Sequence, residues 1–341
     1  MRRTKSRLAS LLHRGLLGTA LMGGLLSPLI CTVAADSAQA YVRSRNSTCK
    51  PVYWAQTCLY VQADSGYVKD LPGTEVERIL QQALDSWTTR TGASFMQLKR
   101  LPAAGPLEIT YTDGLQAVKF RETTWCKPAR DNLAQVCYDK SATAITTVSF
   151  INKAGDPRDA QIIDADIELN AVFNYFYDAD LNPNPDTGLI RRPADLWNTL
   201  THEIGHLQGL EHTCRRGSFD SMPACTRDGQ GNQVISCNVV ESGRSSNSDL
   251  QIIYETTMYP TADPKETRKR VPHADDLAGV INAYPLVSDP RICKLPEAGV
   301  PKGGCSATAG ERATQAGALS AAGLLTAALA LLILHRRRRA R

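Results

Sequence analysis

The sequence predicts an α+β domain, and three patterns predict it. Apolar residues recur at helical spacing in 74–90, with Val76, Ile79, Leu80, Ala83, Leu84 and Trp87 on one side. Ile163, Ala165, Ile167 and Leu169 alternate with Asp164, Asp166, Glu168 and Asn170, the period of a strand with one acidic face. His202 and His206 stand four apart, a spacing that puts both on one helix face.

The elements follow in order. Residues 51–54 and 58–61 read as a first strand region, and the helix 74–90 is closed by Gly92. Residues 107–111 alternate like a strand and stop at Asp113-Gly114. After a cysteine-bounded loop, 142–151 is β-rich (Ile145, Thr146, Thr147, Val148, Phe150), and Gly155-Asp156-Pro157 turns the chain into the 163–170 strand. A second helix starts near Asp195, a good N-cap.

That second helix carries the chemistry. Residues 202–212 read His-Glu-Ile-Gly-His-Leu-Gln-Gly-Leu-Glu-His. His202 and His206 can reach one metal ion, and Zn²⁺ is the usual occupant of such a pair. Glu203 is rotated by roughly 100° from His202, beside the metal without being a ligand. On a continuous helix His212 would lie about 15 Å along the axis from His202. Gly209 removes the obstacle, because it can adopt positive φ and turn the chain back. Three histidine ligands leave one position open, as catalytic rather than structural zinc sites do. By composition alone the extended motif would arise in about one chain in 10⁵ of this length.

This motif resembles the signature of the metzincin metalloproteases. The order of elements resembles the matrixin branch in particular. The resemblance implies a twisted, mostly parallel five-stranded sheet with an antiparallel edge strand, a long first helix, the zinc-binding helix and a C-terminal helix after the Met-turn. It makes 142–151 the edge above the cleft, where an extended substrate can add as a strand. It also assigns Met258, in Thr257-Met258-Tyr259-Pro260, to a hydrophobic floor under the histidines, and Tyr259 and Pro260 to the pocket wall. Residues 272–284 resemble the closing helix, with acids in its first turn; His273, which has no partner spacing, reads as a cap or surface residue rather than a ligand. The chain departs from the pattern between His212 and Met258, where 213–256 reads as a cysteine-stapled insertion. No Pro-Arg-Cys-Gly latency motif precedes the domain, so no conventional propeptide is expected.

Residues 1–40 read as a signal peptide, with a basic start, an apolar stretch and Ala38-Gln39-Ala40 as the cleavage site. A lipoprotein signal ending at Cys31 is the rival reading. Residues 41–292 form the expected protease domain and 293–315 a linker. Residues 316–334 are apolar and precede an arginine cluster, the pattern of a membrane-spanning tail. With Cys305 upstream as a processing point, 316–341 resembles the sorting tails of myxobacterial surface proteins, a plain tail anchor being the alternative. The expected location is the cell surface or the medium.

The formal charge of +5 is carried by the two ends, since 1–40 holds +4 and the last seven residues +5, leaving −4 between them. That body offers no basic footprint for nucleic acid. Its one basic run, 265–270, reads as a solvated loop or a proteolytic nicking site. Eight cysteines remain between the two ends: Cys49, Cys58, Cys126, Cys137, Cys214, Cys225, Cys237 and Cys293. An exported domain makes disulfides of them. Short loops favour Cys49–Cys58 and Cys126–Cys137, and without a C-x-x-C spacing a second metal site is the weaker alternative. Asp178, Asp180, Asn182 and Asp186 place oxygens at alternate positions, candidate Ca²⁺ ligands or ordinary Asx-Pro turns.

The function expected is an exported zinc endopeptidase acting on protein or peptide substrates as a monomeric catalytic domain. Glu203 is its general base and Zn²⁺ on His202, His206 and His212 activates the water. The alternative is a surface adhesin or matrix-binding module that keeps the zinc but does not turn over peptides.

Overall fold

A computed structural model describes residues 39–88, 92–110, 112–127, 135–185, 191–217 and 222–296. The N-terminal segment to residue 38, Cys305, the 316–334 stretch and Asp186 lie outside them. The described elements are β1 (Val42–Arg43), β2 (Tyr53–Trp54), β3 (Cys58–Asp64), α1 (Gly73–Thr88), β4 (Gln97–Ala104) and β5 (Gln116–Arg121). Next come β6 (Cys126–Lys127), β7 (Val136–Cys137), β8 (Ala144–Phe150), β9 (Gln161–Asn170), β10 (Asn174–Tyr177) and β11 (Arg192–Asp195). The remainder is α2 (Leu196–Leu207), β12 (Leu210–Glu211), α3 (Cys237–Gly243), α4 (Ser248–Glu255) and α5 (Ala274–Ala283).

The main sheet has six strands, with β4, β3, β5 and β9 in parallel, β2 parallel to the start of β9, and β8 antiparallel along β9's other side. Every residue of β3 is buried, as a strand covered on both faces requires. Helix α1 lays Val76, Ile79, Leu80, Ala83, Leu84 and Trp87 on the core, and Trp87 Nε1 donates to the Thr201 carbonyl at 2.9 Å, tying α1 to α2. Among the described residues β8 has no strand on its outer side.

Two strands of the main sheet were not legible. The expected strand at 107–111 is absent, since residues 107–110 lie in no strand, and β4 and β5 flank it instead. The alternation there serves a small satellite cluster, in which Ile109 packs against Leu107 and Ala117. Strand β4 carries Lys99, Arg100 and Pro102, which an edge tolerates and a sequence pattern penalises. In β5 the pattern is broken by Lys119, whose ammonium meets the buried Asp64 carboxylate at 2.9 Å.

The acidic face of β9 is also not a solvent face, because Asp164, Asp166 and Glu168 are all buried. Asp164 Oδ2 accepts from the Asp113 N–H and Asp166 Oδ1 from the Ala117 N–H, each at 2.9 Å. Glu168 accepts from Arg121 Nε at 2.6 Å and from the Tyr138 hydroxyl at 2.9 Å. These carboxylates satisfy the turn at Asp113, the neighbouring strand β5 and Tyr138.

The basic run is a second correction. Arg268–Arg270 form a 3₁₀ turn in which Lys269 and Arg270 are buried rather than solvated. Lys269 Nζ donates to the carbonyls of Tyr259 and Thr261. Arg270 binds the carboxylates of Asp195, Asp178 and Asp180.

The eight cysteines form four disulfides: Cys49–Cys225, Cys58–Cys293, Cys126–Cys137 and Cys214–Cys237. The expected Cys49–Cys58 bridge is therefore wrong, while Cys126–Cys137 is present. Short loop length misleads here because distant segments are brought alongside. The Thr57 and Cys58 N–H groups bond the Ile292 carbonyl at 2.8 and 3.3 Å, which seats Cys293 beside Cys58.

Burial, reinforced by Asp113, pushes the Asp164 carboxyl up from 3.8 to about 6. A carboxyl that is a weaker acid when folded binds its proton preferentially in the folded state, so its stabilising contribution is present below about 3.8 and is lost as pH rises through about 6. Urea melts across that window should show this decline in the wild type, and Asp164→Asn should flatten it.

Candidate metal centre

Helix α2 begins at a strongly held cap. The Asp195 side chain accepts from the Asn198 N–H at 2.8 Å, and the same carboxylate takes Arg270 Nε at 2.9 Å and Nη2 at 2.6 Å. Leu196, Leu200, Ile204 and Leu207 face the core, while Glu203 reaches Thr146 of β8. The helix stops at Gln208, and Gly209 takes φ +88°. The chain then doubles back as β12, which pairs antiparallel with β1. That turn brings His212 to the two helical histidines.

The three imidazoles converge, with ring centroids 4.9, 5.4 and 4.7 Å apart. One nitrogen of each lies within 4.8 Å of the others. Two of the rings are oriented by backbone carbonyls. His202 Nδ1–H donates to the Thr257 carbonyl at 2.6 Å, and His206 Nδ1–H donates to the Leu210 carbonyl at 2.9 Å. Each bond places the proton on Nδ1 and leaves the Nε2 lone pair for a metal. His206 Nε2 and His212 Nε2 are 3.2 Å apart. Two nitrogens bound to one tetrahedral zinc at about 2.0–2.1 Å would be about 3.3–3.4 Å apart. The donor set therefore fits zinc. Burial, and then Lys269, push His202 well below 6.5, so its ring is neutral and able to ligate.

Glu203 is buried beside this group. Its Oε2 accepts from the Thr146 hydroxyl of β8 at 2.7 Å. Burial pushes the carboxyl up, against the lowering influence of His206 and of the Thr146 hydrogen bond.

Below the histidines, Met258 is buried in the core. A Cβ at Gly205 would lie 2.3 Å from Met258 Sδ and 3.2 Å from Trp87 Cζ2, so the helix rests on the methionine only because position 205 has no side chain. The turn is hung from α5. The Asp276 carboxylate accepts the N–H groups of Thr257 at 2.7 Å and Met258 at 3.3 Å. His273 caps α5 as expected, closing a capping box with Asp276. A chain of contacts thus runs from Asp276 through Thr257 to His202.

The residues that sequence reasoning missed are those reached only through space. Asp276 was legible as a first-turn acid but not as the anchor of the methionine turn. Nothing in the spacing marks Thr146, Thr257 or Arg270. Of the candidate calcium residues, two are engaged by arginines and Asp186 lies outside the described residues. Asp178 pairs with Arg78 and Arg270, and Asp180 with Arg270. Guanidiniums meet the charges a cation would have met, and among the described residues His202, His206 and His212 form the one group suited to a metal. Tyr259 also departs from its expected place in the pocket wall. Its ring is fully buried with Cys214, Cys237 and Val240 of the 213–256 segment, and its hydroxyl bonds Glu241 at 3.1 Å.

Residues 112–269 match the Reprolysin_5 model of metallo-peptidase family M12, a stretch that contains the three histidines, Glu203 and Met258. The match supports a metalloprotease. Family M12 is zinc-dependent, in agreement with the nitrogen-only donor set. No curated protein matches the chain.

Gly205→Ala should cost about 1–3 kcal/mol of stability by overpacking. In thermal melts, Gly205→Ala combined with Met258→Ala should be less destabilised than the sum of the two single variants, because the second relieves the clash of the first.

Proposed function

We propose that the protein is an exported zinc endopeptidase of the metzincin type, closest in plan to the matrixin branch, that cleaves extended segments of extracellular proteins. The observation that carries this reading is the convergence of His202, His206 and His212 with Glu203 alongside. Zinc held by these histidines supplies Lewis acidity to a water and a scissile carbonyl. Glu203 accepts the proton of the attacking water and delivers it to the leaving amine. The outer edge of β8 offers its backbone groups to a substrate laid down as an antiparallel strand. Export through 1–40 and retention by the 316–341 tail belong to the same reading, which four disulfides support by requiring an oxidising compartment. The silent adhesin reading has no observation in its favour, since the base and all three ligands are in place.

The test is turnover by the purified full chain on unfolded casein and on a mixed peptide library. Glu203→Ala should lower the rate by about 10²–10⁴-fold while bound zinc stays at the wild-type level. A chelator should abolish cleavage, and added zinc should restore it. A folded, zinc-loaded wild type that cuts nothing would sink the proposal.

A further inference from the structure

Thr146 belongs to the edge strand, yet its side chain reaches down to the helix that carries the histidines. Its Oγ1 lies 2.7 Å from Glu203 Oε2 and 3.2 Å from the Glu203 carbonyl oxygen. A hydroxyl has one proton to give. The shorter contact, to an ionisable oxygen, takes it, because hydrogen bonds to charged acceptors are the stronger ones. Threonine suits the task, being β-branched and so restricted at χ1 and at home in a strand. Strand β8 is in turn held along its inner side by β9, with Thr146 opposite Ile167. The contact therefore connects the carboxylate to the rigid sheet and not to a loop.

We propose that Thr146 is a positioning residue for Glu203: it holds Oε2 and thereby assigns proton transfer to Oε1. This rests on the peptidase reading. The donor the structure shows on the Glu203 carboxylate is Thr146, and it takes Oε2. In the step this implies, an O–H bond of the attacking water breaks and its proton goes to Oε1. The electron pair released forms the new C–O bond to the scissile carbonyl carbon while the C=O π pair moves onto the carbonyl oxygen, to return when the C–N bond breaks. The same proton then passes from Oε1 to the amide nitrogen as the C–N bond breaks, and the carboxylate is regenerated. Throughout, Thr146 keeps its proton and Oε2 keeps its place. A second consequence concerns substrate binding. The strand that receives the peptide also orients the base, so the peptide's register on β8 and the direction of Oε1 are set by one rigid element.

The experiment compares Thr146→Val, Thr146→Ser and Glu203→Ala in the full zinc-loaded chain. Valine keeps the shape and the β-branch and removes the donor. It should lower kcat about ten- to a hundredfold, the range expected for losing a hydrogen bond to a charged group. KM should change by less than about twofold, with zinc content, zinc affinity by chelator competition and the melting temperature near wild type. Serine, which restores the donor, should recover most of kcat. In the Glu203→Ala background, Thr146→Val should cause no further loss, since it acts through the carboxylate. Wild-type kcat in the valine variant, loss confined to KM, or a serine variant as impaired as valine would each overturn the assignment. If valine does not fold, Thr146→Ala is read by the same criteria. Equal cleavage by wild type and Glu203→Ala would instead remove the peptidase reading itself.

Discussion

Arg270 draws together three parts of the chain that would otherwise have no reason to meet. Its guanidinium sits against Asp195 at the start of α2, against Asp178 after β10, and against Asp180. Removing Asp195 or Asp178, both buried, costs about 3–5 kcal/mol, because the charges left behind remain desolvated. The position of α2 follows from this contact, since Asp195 is both the cap of that helix and the arginine's partner. Lys269, next to it, fixes the carbonyls of Tyr259 and Thr261 just past the methionine turn, although burial pushes its ammonium down to about 8. The chemistry of the histidines is thus supported by buried charges at the cap of α2 and just past the methionine turn.

The centre itself was legible because its information is local. His202, Glu203 and His206 lie within one turn of helix, and Gly209 announces the reversal that brings His212 back. What holds the centre was not legible. The bond from Thr257 to Asp276 spans 19 residues, that from Thr146 to Glu203 spans 57, and that from Arg270 to Asp195 spans 75. None of these has a periodicity to reveal it. The same difference separates β9, whose alternation was plain, from β4, whose edge position admits lysine, arginine and proline. The acidic residues of β9 show the limit of alternation as evidence. They alternate like a solvent face and are buried, because the Asp113 turn, strand β5 and Tyr138 bring donors to them.

The segment between His212 and Met258 is more than an ornament on the rim. Cys214–Cys237 staples it internally, and Cys49–Cys225 ties it to the strap that precedes β2. It has its own small core with Tyr259, so a residue expected to face a pocket has been recruited to hold the insertion. Because that core begins immediately after Met258, the shape of the insertion and the path of the chain beside the histidines are settled together.

The bridge between Cys58 and Cys293 encloses nearly all of the described chain, with a sequence separation of 235 residues. A single break in the backbone anywhere between those two cysteines leaves both pieces covalently joined. For a domain exposed to proteolysis, this matters more than the added rigidity. A loop clipped by any protease would stay attached, and the two ends of the domain would keep their places while the cut segment moved. Damage of that kind would pass unseen on a non-reducing gel and show only when the disulfide is opened.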